Sequence, residues 1–522
     1  MMGASSRSVF ALIALSLGPV AAPVQLLAQA QASTDTEAGA GEAREVAAYV
    51  DAHRREIAVE LIDFLALPNV AADTENIRKN ARRLQEMMER RGILTQMLET
   101  GGPPMLFGEI EVPGATRTIL FYCHYDGQPA DPSRWVGHAP WEPVLRNGTL
   151  ESAPETFGLP AEGPIEDDWR VYARSASDDK APIIALMTAL DALRASGLEP
   201  TSNLKFIFEG DEEASSPSLD RMVRENADLL AADIAVIADG PQHSSGRPTA
   251  VFGVRGIVSA EITVYGPTVP LHSGHYANWA PNPAEALVEL LAATQADDGS
   301  VTIAGWYADV LPLGPADIAA LAALPDEEEE RRRLGIAQPE GDGRSRWEMV
   351  TLPSFNIRGM QSAWVGDQAR TIVPDRAIAS LDFRLVRDIQ PRDQVERFIG
   401  HVQEQGYHVV DEEPDLDTRL EHSKLARIES TRGYPAVRTP LDDPSAQAVV
   451  AAVREATGVE PVVIPTHGGS VPGYVFPDYL GATFVLLPIV NPDNNQHSPN
   501  ENLRLGNLFD GISIYAGVMR MP

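Results

Sequence analysis

Cysteine is all but missing from this chain: Cys123 is the only one in 522 residues, so no intramolecular disulfide can form. Its plain reading is a small residue buried at a strand end. Basic residues are also scarce, 42 Lys and Arg against 74 Asp and Glu, which leaves a net charge of −32. A nucleic-acid backbone or an anionic membrane surface would be repelled by such a chain, so neither is expected as a partner. Gly and Pro, 41 of each, are spread out instead of gathered into one tract, and no repeat of about 20 to 50 residues is apparent. With 44% hydrophobic residues, the length allows roughly two or three domains around a sizeable core.

The N-terminus reads as an export signal. Arg7 precedes an apolar run from Val9 to Leu27, interrupted by Gly18, Pro19 and Pro23 and followed by Ala28-Gln29-Ala30. Cleavage near Ala30 or Ala32 would remove residues 1–32 and leave a periplasmic or secreted protein, clear of the membrane. A retained membrane anchor is the competing reading, which the prolines and the small-residue exit disfavour. Residues 33–42 are small, polar and acidic, and read as a flexible leader.

Helical spacing follows over Glu45–Leu65 and Asn76–Arg91. Buried strands are expected at Arg117–Cys123, Leu204–Phe208 and Ile234–Ala238, with a helix opened by Pro182 and closed by Gly197 between the first two. Alternating buried strands and helices point to an α/β fold: a mostly parallel sheet with helices on both faces, whose ligands collect at the carboxyl ends of strands. From about Val254 the texture changes to half-buried strands (Ile257–Tyr265, Arg376–Val386) and amphipathic helices (Pro283–Thr294, Pro391–Gln405), which reads as an inserted α+β domain. Within it Asp326–Arg333 is a surface helix with acid-to-Arg pairs. After about Tyr434 the first texture returns, with a helix at Ala446–Thr457 and strands at Val462–Ile464 and Phe484–Val490. The division is therefore 43–253 and 434–522 for one domain and 254–433 for the insertion.

The stretch Phe206–Ser216, FIFEGDEEASS, runs from an apolar strand into Glu209, Asp211, Glu212 and Glu213. Such acids are either a solvated loop or the wall of a cation site. Other strand ends decide in favour of the cation, because His124, Asp178, Asp239 and His497 fall at comparable positions. Two divalent cations bring about +4, which three carboxylates and a shared hydroxide balance, where one ion would leave excess acid buried. A nitrogen and oxygen donor set suits zinc and tolerates manganese or cobalt. Asp126 is placed to accept the spare ring N–H of His124, and Glu212 is the natural base for the activated water.

Several short marks occur in order: His124-Tyr125-Asp126, Ala176-Ser177-Asp178-Asp179-Lys180, Glu209-Gly210-Asp211-Glu212-Glu213, Leu271-His272-Ser273-Gly274, Phe383-Arg384-Leu385-Val386, Gly468-Gly469-Ser470 and His497-Ser498. Over nearly the whole mature chain the sequence resembles the co-catalytic dizinc peptidases of the carnosine dipeptidase, glutamate carboxypeptidase and aminoacylase group. The resemblance implies that Asp178 bridges two zinc ions, with His124 and Asp239 on one, Glu213 and His497 on the other, and Glu212 as general base. It implies that the insertion is a lid and dimerisation domain, that the chain is a homodimer, and that His272, helped by Thr371, reaches the partner subunit's site to stabilise the oxyanion. Arg384 would clamp the substrate's C-terminal carboxylate, and the turn at Gly469 and Ser470 would offer it backbone N–H groups. Ala181, Pro270 and Thr466-His467 depart from the family's usual residues.

The expected function is hydrolysis of the amide next to a C-terminal amino acid in dipeptides or small peptides, by a dizinc-activated water. An N-acyl amino acid deacylase or aminopeptidase with the same site is the alternative. A non-catalytic binding protein that keeps the fold is the rival from another class.

Overall fold

A computed structural model describes residues 22–325 and 327–521; the side chains of residues 22–38, 40 and 329 fall outside that description. Most of the expected export signal lies outside the described residues. Among those described, no helix is long and apolar enough to cross a membrane.

Four apolar runs become the parallel centre of an eight-stranded sheet. Asn203–Glu209, Thr118–His124, Ile234–Ile237 and Thr483–Leu486 lie side by side in that order, all parallel. Met105–Ile110 and then Leu94–Leu98 extend one edge antiparallel. On the other side Thr249–Val251 runs antiparallel to Thr483–Leu486, with Val462–Ile464 parallel beyond it. The edge strands have weak signals: in Leu94–Leu98 only Leu98 is buried. Apolar side chains cover both faces. Helices Lys180–Ala195, Pro444–Thr457 and Leu505–Met519 share one core, while Leu219, Met222, Val475 and Phe476 belong to the other. Lys180–Ala195 is buried nearly all round, as a helix pressed between a sheet and other helices must be.

The inserted region builds a five-stranded sheet ordered Ser354–Gln361, Arg376–Leu385, Gly256–Tyr265, Leu425–Ser430 and His408–Val410. Ala379, Leu381, Phe383 and Leu385 face its core with Leu287, Phe398 and Val402 from helices Pro283–Ala292 and Pro391–Glu404, as the alternation requires. The chain enters and leaves this region through two neighbouring segments: Val254 pairs with Val437, and Ile257 and Tyr434 exchange backbone hydrogen bonds of 3.0 Å. A Cβ on Gly256 would lie 2.5 Å from the Tyr434 carbonyl, so only glycine lets the two segments approach this closely.

Four local expectations are corrected. The first helix spans Ala22–Leu65, so residues 33–42 are helical and not a flexible leader; Ala and Glu there favour the helix. The helix expected to open at Pro182 begins at Lys180, and the proline sits within the first turn, where no backbone N–H is required. The strand expected over Phe484–Val490 is Thr483–Leu486, because Pro488 cannot donate to the ladder. The acidic-basic helix is Glu328–Arg333, with Arg331 and Arg332 paired to Glu328 at 2.7 and 3.0 Å.

Lys180 Nζ donates to the carbonyls of Phe64 (2.8 Å) and Leu67 (3.0 Å), closing the end of the first helix from inside the core. Lys180→Met leaves both carbonyls without that donor and should cost about 2 kcal/mol, read as a lower urea midpoint.

Candidate active site

The carboxyl ends of the central strands place the expected acids and imidazoles around Asp178. His124, fully buried, ends its strand beside Glu209, after which the chain turns into the short helix Glu212–Ala214. Asp178 Oδ1 lies 2.9 Å from His124 Nε2, and its Oδ2 lies 3.1 Å from His497 Nε2. His497 Nε2 is also 3.2 Å from Glu213 Oε2. Two donor sets result, His124, Asp178 and Asp239, and Asp178, Glu213 and His497, each with its ligand atoms within 4.8 Å of one another. Asp178 is common to both.

Asp126 has more to do than the sequence indicates. Its two oxygens accept the backbone N–H groups of Glu212 and Glu213 at 3.1 Å each, tying the acidic turn to the His124 strand. Its Oδ1 is 3.3 Å from His124 Nδ1, a contact not aligned as a hydrogen bond. Glu501 went unnoticed in the sequence. Fully buried, it accepts the N–H groups of Ser175, Ser177 and Asp178 at 3.0 Å each and pairs with Arg174 at 2.7 Å. It thereby fixes the loop that presents Asp178, and its only signal was its place four residues after His497.

A second polar region lies where the inserted sheet meets the larger one. Half-buried Arg384 donates to Ser470 Oγ at 2.7 Å, and Tyr434 Oη donates to the Ser470 carbonyl at 3.1 Å. The Gly469 N–H, expected to face a substrate, instead donates to His467 Nδ1 at 3.1 Å, a capture made possible by the imidazole at that departure from the family pattern. Among the described residues no hydrogen bond or ion pair joins His272 or Thr371 to the cluster. Exposed His272 sits in the two-stranded ribbon Leu271–His272 and Ile372–Val373, where its Nδ1 accepts the Gly274 N–H, and the Thr371 carbonyl accepts the Ser273 N–H.

The sequence profile of Peptidase family M20/M25/M40 matches residues 120–521. The chain belongs to this family. It is 26% identical over 488 residues to a Cys-Gly metallodipeptidase of Schizosaccharomyces pombe, covering 89% of this chain and 95% of that one. It is 25% identical over 495 residues to a human Beta-Ala-His dipeptidase, covering 90% of each. Its fold is similar to the crystal structure of an M20 metallo-carboxypeptidase from Sulfolobus solfataricus, with a TM-score of 0.73, 28% identity and coverage of 89% of this chain and 99% of that one. The chain is therefore a hydrolase of metallopeptidase type with the M20 fold.

The electrostatics of this M20 site fit metal ions. Burial and the Asp178 charge push the Glu213 carboxyl up to about 7, and the same two causes push Asp239 up to about 6. Burial also raises Asp178, but hydrogen bonds from both imidazoles outweigh it and hold that carboxyl well below the usual range. A hydrogen bond to Asp178 lifts His497 to about 9 against the effect of burial. The carboxyl of Glu212 is raised by burial and then, against His124, by Asp239, Glu213 and Asp178, which places it in the field of the whole cluster. Carboxyls crowded this closely repel one another when ionised, a cation would offset that repulsion, and the donors are nitrogen and oxygen of the kind that divalent metals take.

Glu213 and Asp239 have folded pKa values above their unfolded ones, so in metal-free protein the stability their protons contribute is fully present below about pH 4 and is lost as pH rises from there through about 6 for Asp239 and about 7 for Glu213. Metal must displace those protons at low pH and finds the sites free at high pH. Zinc added to stripped protein should therefore raise Tm more at pH 8 than at pH 5. Glu501→Gln, which removes the charge facing Arg174 and three N–H groups, should lower Tm and weaken metal retention about tenfold or more.

Proposed function

We propose that this chain hydrolyses the amide bond next to a C-terminal amino acid in dipeptides or small peptides, with two zinc ions per subunit, for which manganese or cobalt can substitute. The observation that carries the reading is the shared Asp178 between two donor sets, with Glu212 in the same field. His124 and Asp239 would complete one cation site with Asp178, Glu213 and His497 the other. When bound, the cations would polarise the scissile carbonyl and acidify water.

The remaining steps belong to side chains. Glu212, set beside the acids and imidazole of the cluster, takes the proton of the attacking water and returns it to the departing amine. Asp126 holds Glu212 by its backbone N–H. Arg384 and Ser470 receive the C-terminal carboxylate, a role for which a guanidinium fork is suited. The names of the Cys-Gly and Beta-Ala-His dipeptidases support a dipeptide substrate. Residues 43–253 and 434–522 form the catalytic part in this reading, and 254–433 the lid. The chain pairs as a homodimer in which His272 and Thr371 serve the opposite site, supported by the exposed Trp279 and Trp364 on the lid. Export of the mature chain rests on the residues 1–32 as read from the sequence.

Glu212→Gln should lower kcat by about 10²- to 10⁴-fold while zinc stays near two per chain by elemental analysis; retained turnover would remove the base assignment. A panel of dipeptides, acetyl amino acids and free-N-terminus amides, followed by mass spectrometry, should show fastest cleavage of the dipeptides. Preference for acetyl amino acids would make the chain a deacylase, and preference for amides an aminopeptidase.

A further inference from the structure

Beside Arg384 lies a second guanidinium that the reading above leaves without a task. Arg255 occupies one of the two segments that join the lid to the larger sheet, and it is 7% exposed. Its backbone N–H donates to the Gly469 carbonyl at 3.1 Å, and its Nη2 donates to the Leu352 carbonyl at 2.7 Å. Its Nε has no hydrogen-bond partner among the described residues. The neighbouring Gly256 carbonyl accepts from Ser470 Oγ at 3.4 Å, the same hydroxyl that receives Arg384 Nη1 at 2.7 Å. Arg384 is also the register partner of Ile257, two residues on from Arg255. Arg255, Arg384 and the Gly469-Ser470 turn thus close on one small region.

The charges of that region do not cancel. Burial, and after it the charge of Arg384, pushes Arg255 down to about 10, with Asp382 opposing. Asp382 is the carboxylate that faces the pair: its Oδ1 is 3.8 Å from Arg384 Nε, and its Oδ2 already takes a bond from Asn356 at 2.9 Å. Two guanidiniums against one carboxylate leave one positive charge largely removed from water. A buried donor without an acceptor and a buried charge without a counter-ion are both costly, and one incoming carboxylate relieves both.

We propose that Arg255 is a second cation of the carboxylate-binding end, acting with Arg384 on the free α-carboxylate of the substrate's C-terminal residue. The inference rests on the reading that substrates carry such a carboxylate, which dipeptides and N-acyl amino acids share. Arg384 lies on the lid strand and reaches Ser470 on the larger domain; Arg255 reaches the same turn from the linker. The seated carboxylate therefore holds lid, linker and turn together at the end of the substrate remote from the metals.

The test compares the dipeptide most rapidly cleaved in the panel with its C-terminal amide. Wild type should show the lower KM for the free acid. Arg255→Gln should raise KM for the acid by about 10- to 100-fold, as loss of a charged hydrogen bond does, with kcat within about threefold and the amide little changed. Arg255→Lys keeps the charge and should recover part of the discrimination between acid and amide. Equal losses on acid and amide in both variants, or an unchanged KM for the acid in Arg255→Gln, would overturn the proposal and leave Arg255 a structural tie to Leu352. If Arg255→Gln does not accumulate folded, Arg255→Lys decides by the same acid-to-amide ratio. Wild type that handles the amide as well as the acid would overturn the carboxylate reading itself, and the role of Arg255 with it, a result distinct from failure in the variants alone.

Discussion

Mutual repulsion among buried carboxylates is the constraint on which this site depends. Asp178, Glu213 and Asp239 cluster near the ends of parallel strands with Glu212 in their field, and two imidazoles alone do not neutralise them. The protein tolerates the arrangement because the backbone that presents it is held from behind. Glu501 gathers three N–H groups of the Asp178 loop, Asp126 gathers two of the acidic turn, and the turn after Asp178 continues into a helix buried nearly all round. Side chains fixed in this way cannot relax apart, so their charge is available to a cation.

The region around the Gly469-Ser470 turn carries the opposite sign. Arg384 and Arg255 converge on the Gly469-Ser470 turn with Asp382 between them in charge but not in number. Under the proposed function, a peptide whose carbonyl faces the cation sites and whose carboxylate faces the arginines would be oriented by both before any chemistry begins. The close approach at Gly256 and the paired hydrogen bonds of Ile257 and Tyr434 bind the two linkers to each other.

Much of this was legible in the sequence, and the reasons are physical. Apolar runs such as Leu204–Phe208 must be buried, and polar residues at their ends must sit at the rim of the sheet, so His124, Asp178, Glu213, Asp239 and His497 could be placed together before any coordinates. The alternation in Arg376–Leu385 likewise declared its faces. What escaped depended on partners distant in the chain. Nothing local marks Glu501 as the acceptor for residues 175–178 or Arg255 as a neighbour of Arg384. Leu505–Met519 is so apolar that its helical period is blurred, and the edge strand Leu94–Leu98 is too exposed to declare itself. The capture of the Gly469 N–H by His467 follows from a side chain whose direction no pattern foretells.

The sheet order also governs assembly. Thr483–Leu486 fills the space between Ile234–Ile237 and Thr249–Val251, and the loop after it supplies His497 and Glu501, yet all of these are made after the whole insertion. During synthesis the nascent chain must carry an open gap through the middle of its sheet until the last tenth of the polypeptide emerges, with apolar edges on both sides of it. Truncation near the C-terminus would therefore remove the keystone of the sheet together with His497, one of the five candidate ligands, and a ribosome that stalls late would leave a product prone to aggregate.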